Sequence, residues 1–184
     1  MTRLTTTLTI LFSLLFSTVY SVDYQSIADG NYSDVTSVWS TDGGATACSC
    51  RPPQPLDGDN VYINHNIIAD VNVTLQGGAL FQIFSSGSFI GGAVVLVRDA
   101  AFVTEGVVTI AKLRVNATGT FTATNTLVTA TNRILIYGAL NMDGSIFRSG
   151  GNVLLYPGSS ISLINGASIK ATGNFQNEGT LFIC

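Results

Sequence analysis

Short apolar runs with period-two alternation recur along this chain, and they recur at a fixed interval. From Val94 to Ile183 one phrase returns five times: an apolar strand, a tight turn, a second apolar strand. The copies occupy 94–104, 112–123, 133–142, 152–163 and 174–183. Their turn positions are Ala100, Gly119, Gly138, Gly158 and Gly179, a near-constant spacing. A third short strand fills each gap, at Gly106–Ile110, Thr126–Ala130, Gly144–Phe147 and Gly166–Lys170, and these starts keep the same interval. In a strand, alternate side chains face opposite sides, so Leu, Ile, Val and Phe can point inward while Thr, Ser, Asn and Lys point out. No window shows an apolar helical face of useful length. Three strands and no helix per repeat of about 20 residues predict a parallel β-solenoid, with coils stacked about 4.8 Å apart. Phe121, Leu135 and Leu154 are the expected inward residues of three different rungs.

The register is ambiguous over 69–93. Val71–Leu75 and Ala79–Phe84 read as strands, and Ser85–Ile90 repeats the strand–turn–strand phrase. Gly87 lies too near Ala100 for a full coil to separate them. Either one coil is short or Gly78 is the true corner.

Residues 22–58 break the pattern. They hold Trp39, turn chemistry at Thr41-Asp-Gly-Gly, the Cys48-Ser-Cys50 pair and a helix-hostile Arg51-Pro-Pro-Gln-Pro55 run. Alternation resumes at Val61–Ile68. An open solenoid end exposes strand edges and core side chains, so 22–58 is read as an N-terminal cap plugged by Trp39. A sugar-stacking role for Trp39 is the functional rival. Ahead of the cap, Arg3 and the apolar run Leu8–Val19, with small residues Val19 and Ser21, predict a signal peptide at 1–21. The β-helix proper is then 59–184, and the mature chain is expected to be soluble, secreted or at the cell surface, with no membrane span.

The residues Gly30-Asn-Tyr-Ser-Asp34, Trp39-Ser40, the proline loop and Gly58-Asp-Asn-Val-Tyr-Ile63 resemble the opening of secreted right-handed β-helix proteins. They are also similar to the start of the G8 domain of extracellular proteins. The motif covers 30–68, and 69–184 matches in style only. The resemblance implies an extracellular, single-stranded, right-handed parallel β-helix of the all-β class. It assigns no binding residue.

Composition narrows the function. The chain has 8 basic and 11 acidic residues. Without Arg3 the balance is 7 − 11 = −4, which argues against nucleic acid as a partner. His65 is the single histidine and is read as structural. Asp57 and Asp59 could reach a calcium ion, but an Asp-Gly-Asp-Asn turn is the simpler reading. Asp99, Glu105, Asp143 and Glu178 sit singly at turns of different coils, whereas a β-helix lyase or hydrolase needs converging ionisable groups. No enzyme, cofactor or metal is expected.

Asn31, Asn72 and Asn116 head N-x-Ser/Thr sequons, glycan acceptors in a eukaryotic secretory pathway. Cys48, Cys50 and Cys184 cannot all pair within one chain. A Cys48–Cys50 bridge is expected to be strained. Cys184 on the last rung lies far from the cap, roughly 25–30 Å along the stack. Three outcomes stay open: an internal bridge with one free thiol, a bond from Cys184 to a neighbouring subunit, or no disulfide. The leading expectation is an extracellular structural protein that self-associates head to tail into a fibre or surface layer. The alternative is a secreted adhesin or carbohydrate-binding module recognising cell-surface or matrix glycans. The absence of a visible aromatic strip favours the first.

Overall fold

The computed structural model describes residues 21–184. The expected signal peptide, apart from Ser21, lies outside them. Among the described residues there are twenty-one strands and no helix, and the chain is a parallel β-solenoid of about six coils.

Each coil contributes one strand to each of three faces, in the order first, second, third. The coil beginning at Asn60 runs Asn60–Ile63, Asn66–Ala69, Val73–Gln76. The next runs Leu80–Ile83, Ser88–Gly91, Val94–Val97. Coils three to six begin at Ala101, Thr120, Ala139 and Ser160, and Thr180–Ile183 starts a seventh. In coils three and four the second and third strands run on without a loop, as Val107–Val115 and Leu127–Ile136.

Every coil pairs in parallel with the one before, and the pairing resolves the register. Leu80 faces Ala101, so Ala79 is the partner of Ala100 at the corner. Gly87 belongs beside the second face, one position ahead of the Ser88–Val107 pair. No coil is short. Likewise Ser160 faces Ala139, which puts Ser159, not Gly158, opposite Gly138. The corner column therefore reads Asp59, Ala79, Ala100, Gly119, Gly138, Ser159 and Gly179. Gly138 has a local reason: a Cβ there would run into the carbonyl oxygens of Asn116 and Gly119. At the corner leaving the first face, Asn125, Gly144 and Asn165 occupy successive coils with φ of 49°, 57° and 53°. Glycine meets that left-handed requirement without penalty, and asparagine is among the side chains that tolerate it best.

The core is a set of one-residue-wide ladders. On the first face Val61, Phe81, Phe102, Phe121, Leu140 and Ile161 lie in one register column, all at most 1 % exposed. Phe81, Phe102 and Phe121 meet edge to face at centroid distances of 5.0 and 4.8 Å, and Phe121 stacks on Phe147 of the second face at 5.6 Å. Such pairs contribute about 0.5–1.5 kcal/mol each beyond area burial. No buried side-chain nitrogen or oxygen among the described residues lacks a hydrogen-bond partner. Buried corner hydroxyls explain how: Thr104 Oγ1 donates to the Gly106 carbonyl at 2.7 Å, and Ser159 Oγ to the Tyr156 carbonyl at 2.7 Å.

Two expected core positions fail. Phe121 points inward, but Leu135 and Leu154 do not belong to the inward set. Their neighbours Ile134, Ile136, Val153 and Leu155 fill the core at 0–1 % exposure, while Leu135 and Leu154 pair with each other on the outer side of the third face. Leu135 is still only 6 % exposed. It lies between Arg114 and Leu154 in register, and these flank it on both sides.

Residues 22–58 are more than a lid. Asp23–Ser26 pairs in parallel with Asn60–Ile63, Gly30–Asn31 with Ile67 and Ile68, and Leu56–Asp57 with Leu75 and Gln76. The segment is an incomplete leading coil interrupted by a 32–55 excursion. Within the excursion, Trp39–Ser40 runs antiparallel to Gln25 and Ser26 and covers the outermost edge of the first face. Trp39 and Tyr32 are fully buried and meet edge to face at 5.3 Å. The indole Nε1 donates to the Tyr32 carbonyl at 3.1 Å. Full burial makes Trp39 a packing residue and removes it as a sugar platform.

Candidate functional site

The outer side of the third face carries the one concentration of matching chemistry among the described residues. Residues that face outward on a strand are two apart, and their equivalents on the next coil lie directly alongside. Three rows result: Lys112, Arg114 and Asn116; then Arg133, Leu135 and Tyr137; then Asn152, Leu154 and Tyr156. Lys112 pairs with Arg133 and Arg114 with Leu135. Arg98 stands one coil earlier, beside the start of the same strip. Four of the seven basic residues among those described are thus on this face. No acidic residue occupies an outward position there between Val94 and Tyr156.

The corner column of the strip is a stack. The Tyr137 and Tyr156 rings lie parallel, 3.9 Å between centroids and 9° between planes. The Arg114 guanidinium sits over the Tyr137 ring at 5.0 Å, within the range of a cation–π contact. Arg114 Nε donates to Asn116 Oδ1 at 3.0 Å. The Tyr156 hydroxyl is held above the ordinary phenol range, first by its hydrogen bond with Tyr137 and then by desolvation. Arg98 donates to Gln76 Oε1 at 3.1 Å. The hydrogen-bond partners of both arginines are neutral, but Arg98 lines a cleft with Asp57 and Asp99 whereas Arg114 does not. Stacking Lys112 on Arg133 places like charges directly opposite, an arrangement that costs stability unless a counter-ion offsets it.

The strip has defined limits. Asp99, which follows Arg98, accepts from the Gly77 N–H at 2.9 Å. It shares an open cleft of about 390 Å³ with Arg98, Asp57, Gln76, Asn116 and Thr118, and the two carboxylates there outnumber the one cation and set Arg98 apart from Lys112, Arg114 and Arg133. At the other limit Glu178 takes a hydrogen bond from Gln176 Nε2 at 2.5 Å.

The aromatic pair corrects the expectation that no aromatic strip exists. Tyr137 and Tyr156 are one coil apart in the chain, and so are Lys112 and Arg133. Only rows written at the coil period bring them together.

The other singled-out residues are placed as follows. His65 Nδ1 lies 3.1 Å from Ser26 Oγ, which also accepts the Asn64 N–H at 2.9 Å. Ser26 is 1 % exposed, so the pair joins the leading coil to the first and offers no nucleophile to solvent. Asp59 Oδ1 accepts the Val22 N–H at 2.8 Å, while Asp57 faces the cleft by Arg98. Among the described residues no group of three or more His, Cys, Asp or Glu is placed to hold a metal ion. The open cleft between the first and second faces holds a single ionisable residue, Glu105, half of what a carboxylate pair for glycoside hydrolysis needs.

Asn31 and Asn72 are exposed, whereas Asn116 is half-buried beside Arg114. Asn72 Oδ1 accepts the Val94 N–H at 2.8 Å. Cys48 and Cys50 form a disulfide with Cα atoms 5.1 Å apart, and Cys184 is free and exposed. Of the three cysteine outcomes left open by the sequence, this is the internal bridge with one free thiol. The excursion places both Cα atoms within the usual bonding separation although a single residue intervenes.

No protein-family model matches the chain, and no curated protein or solved structure matches it either.

Proposed function

We propose that this chain is an extracellular binding module, a β-solenoid that presents its third face to a carbohydrate polymer. The observation that carries this reading is the strip itself: cations and stacked tyrosines segregated on one flat surface of a net-acidic chain. A parallel sheet of this kind is a rigid ruler. Equivalent groups repeat about every 4.8 Å along the axis, the order of length of one pyranose unit in an extended chain. Tyrosine supplies contact area and a hydroxyl at small entropic cost. A glycan array probed with the purified protein tests the reading. Retention on at least one polysaccharide class, lost when Tyr137 and Tyr156 are both changed to serine, is the expected result. No retention on any glycan refutes it.

A second reading, end-to-end assembly of copies of this chain, is favoured by a separate observation. The last described coil exposes Phe175, Phe182 and Ile183 at 45, 59 and 69 %, next to strand edges that a further coil would pair. At the opposite end Trp39–Ser40 covers the first-face edge. A head-to-tail joint would therefore continue the parallel pairing on the second face and on the third, where Phe175 lies, while Phe182 and Ile183 of the first face would meet the covering strand. Electron microscopy of the purified protein distinguishes regular filaments from single particles.

A further inference from the structure

We infer that the ligand of the third face is an anionic polysaccharide, its carboxylate or sulfate groups held by Lys112, Arg114 and Arg133. The inference rests on the binding-module reading and names the ligand's chemistry.

Four observations lead to it. First, the charge is segregated: Lys112, Arg114 and Arg133 share the part of the third face between Val94 and Tyr156, which has no outward acid, in a chain whose acids outnumber its bases. Second, the register sets Lys112 directly beside Arg133. Two cations one coil apart repel, and an oxyanion bridging them removes the repulsion while gaining charge-assisted hydrogen bonds. Third, Arg114 is pre-oriented. Its Nε is engaged by Asn116 and its plane lies over Tyr137, which leaves the terminal nitrogens for an oxyanion. Little side-chain freedom remains to be lost on binding. Fourth, the cations form a compact cluster over two adjacent coils: Lys112 and Arg133 follow the solenoid axis, and Arg114 stands beside Lys112 on the same strand. A polymer carrying one acidic group per sugar or per disaccharide therefore meets more than one of them at once, and weak contacts multiply.

A flat anionic membrane is the competing partner. The geometry favours the polymer, because the apolar centre of the strip is largely covered. Leu135 is 6 % exposed, which leaves little surface to insert among acyl chains. The second face supplies an internal control. Arg148 and Lys170 also stack there, without tyrosines or further cations.

The test measures binding of the purified protein to polygalacturonate, to dextran sulfate, to a neutral β-glucan, and to vesicles of phosphatidylcholine with phosphatidylserine. Binding to at least one of the two anionic polymers is expected, weakening as salt rises because exposed charges are screened. Comparing carboxylate with sulfate polymers identifies which oxyanion is preferred. Lys112→Gln with Arg133→Gln should weaken binding about tenfold or more, as loss of charge-assisted contacts implies. Arg148→Gln with Lys170→Gln, an equal change of net charge, should leave it within about twofold. All four positions are on the outer surface, and an unchanged melting temperature verifies folding. Equal weakening by the two double variants overturns the assignment to the third face. Binding to the neutral glucan alone overturns the anionic inference and leaves the binding-module reading standing. Binding to vesicles with none to any polymer overturns both.

Discussion

Phe102→Ala is the substitution that interrogates the solenoid most directly. Phe102 is fully buried and stands between Phe81 and Phe121, at 5.0 and 4.8 Å. Removing the ring forfeits its transfer free energy, opens a cavity between three coils and breaks two edge-to-face pairs. Phenylalanine-to-alanine changes in cores cost about 3–5 kcal/mol, and the two aromatic contacts place this site toward the upper part of that range. A domain stable by about 5–15 kcal/mol is left close to its threshold. The effect should also be uneven. In a linear array each coil leans only on its neighbours, so a defect at coil three uncouples the coils on either side. Urea titration followed by far-UV circular dichroism reports the whole array, whereas fluorescence of Trp39 reports the leading coil. The variant should lower the midpoint by both signals and separate the two curves, which coincide in the parent. Leu154→Ala, on the outer side of the third face, serves as reference and should cost below about 1 kcal/mol. A loss at Phe102 no larger than that at Leu154 would refute the ladder as the source of stability.

Four further outcomes are expected. Val153→Asp should abolish soluble, protease-resistant protein while Leu154→Asp yields it, since only Val153 faces the core; limited proteolysis of the pair decides the register. The Asp42 carboxylate is held well below its ordinary range, first by Ser40 and then by Thr46 hydroxyl hydrogen bonds. A depressed folded-state value stabilises above the unfolded pKa of about 4 and is lost as pH falls through the folded one. The 40–46 turn should therefore hold at pH 5 and loosen only in strong acid, and Asp42→Asn should remove that acid step, as read by amide exchange. Alkylation of the unreduced, denatured chain should add one label, at Cys184, and three after reduction; three labels without reduction would exclude the Cys48–Cys50 bond. Expressed in a eukaryotic secretory host, exposed Asn31 and Asn72 should carry glycan more fully than Asn116, as peptide mass mapping shows.

The fold is legible in the sequence because its signal is repeated. Glycine at Gly119, Gly138 and Gly179 and the alternation around Phe121 report the same period independently, and the structure obeys it. The ambiguity at 69–93 arises because the corner residue is Ala79, which carries no turn signature, while Gly87 looks like a corner and is not one. Leu135 and Leu154 mislead for a different reason. In Arg133-Ile-Leu-Ile136 and Asn152-Val-Leu-Leu155 one polar residue is followed by three apolar ones, so the sign of the alternation rests on Arg133 and Asn152 alone, whose outward side is also that of Leu135 and Leu154. The same apolar outer positions belong to the strip, so the site hides where the sequence departs from the plain strand pattern. Its charges and tyrosines are all in the chain but lie one coil apart, so they meet only when the repeat copies are laid one above another at the coil period. The Cys48–Cys50 bond stays open in the sequence because spacing alone does not report how the backbone between two cysteines runs.

Pairing that runs only from one coil to the next also determines how the molecule responds to force. Each coil is held by three short parallel ladders, and the strands lie across the solenoid axis. Tension applied to the C-terminal strand loads one ladder at a time, Thr180–Ile183 against Ser160–Leu163 first, before the next coil bears any. The chain should peel away one coil per step under nearly constant force, each step leaving a shorter but intact solenoid. A molecule fixed by its third face to a polymer would be loaded differently. Pull along the axis is then shared among all attached coils, so attachment and resistance to unzipping reside in the same rows of residues.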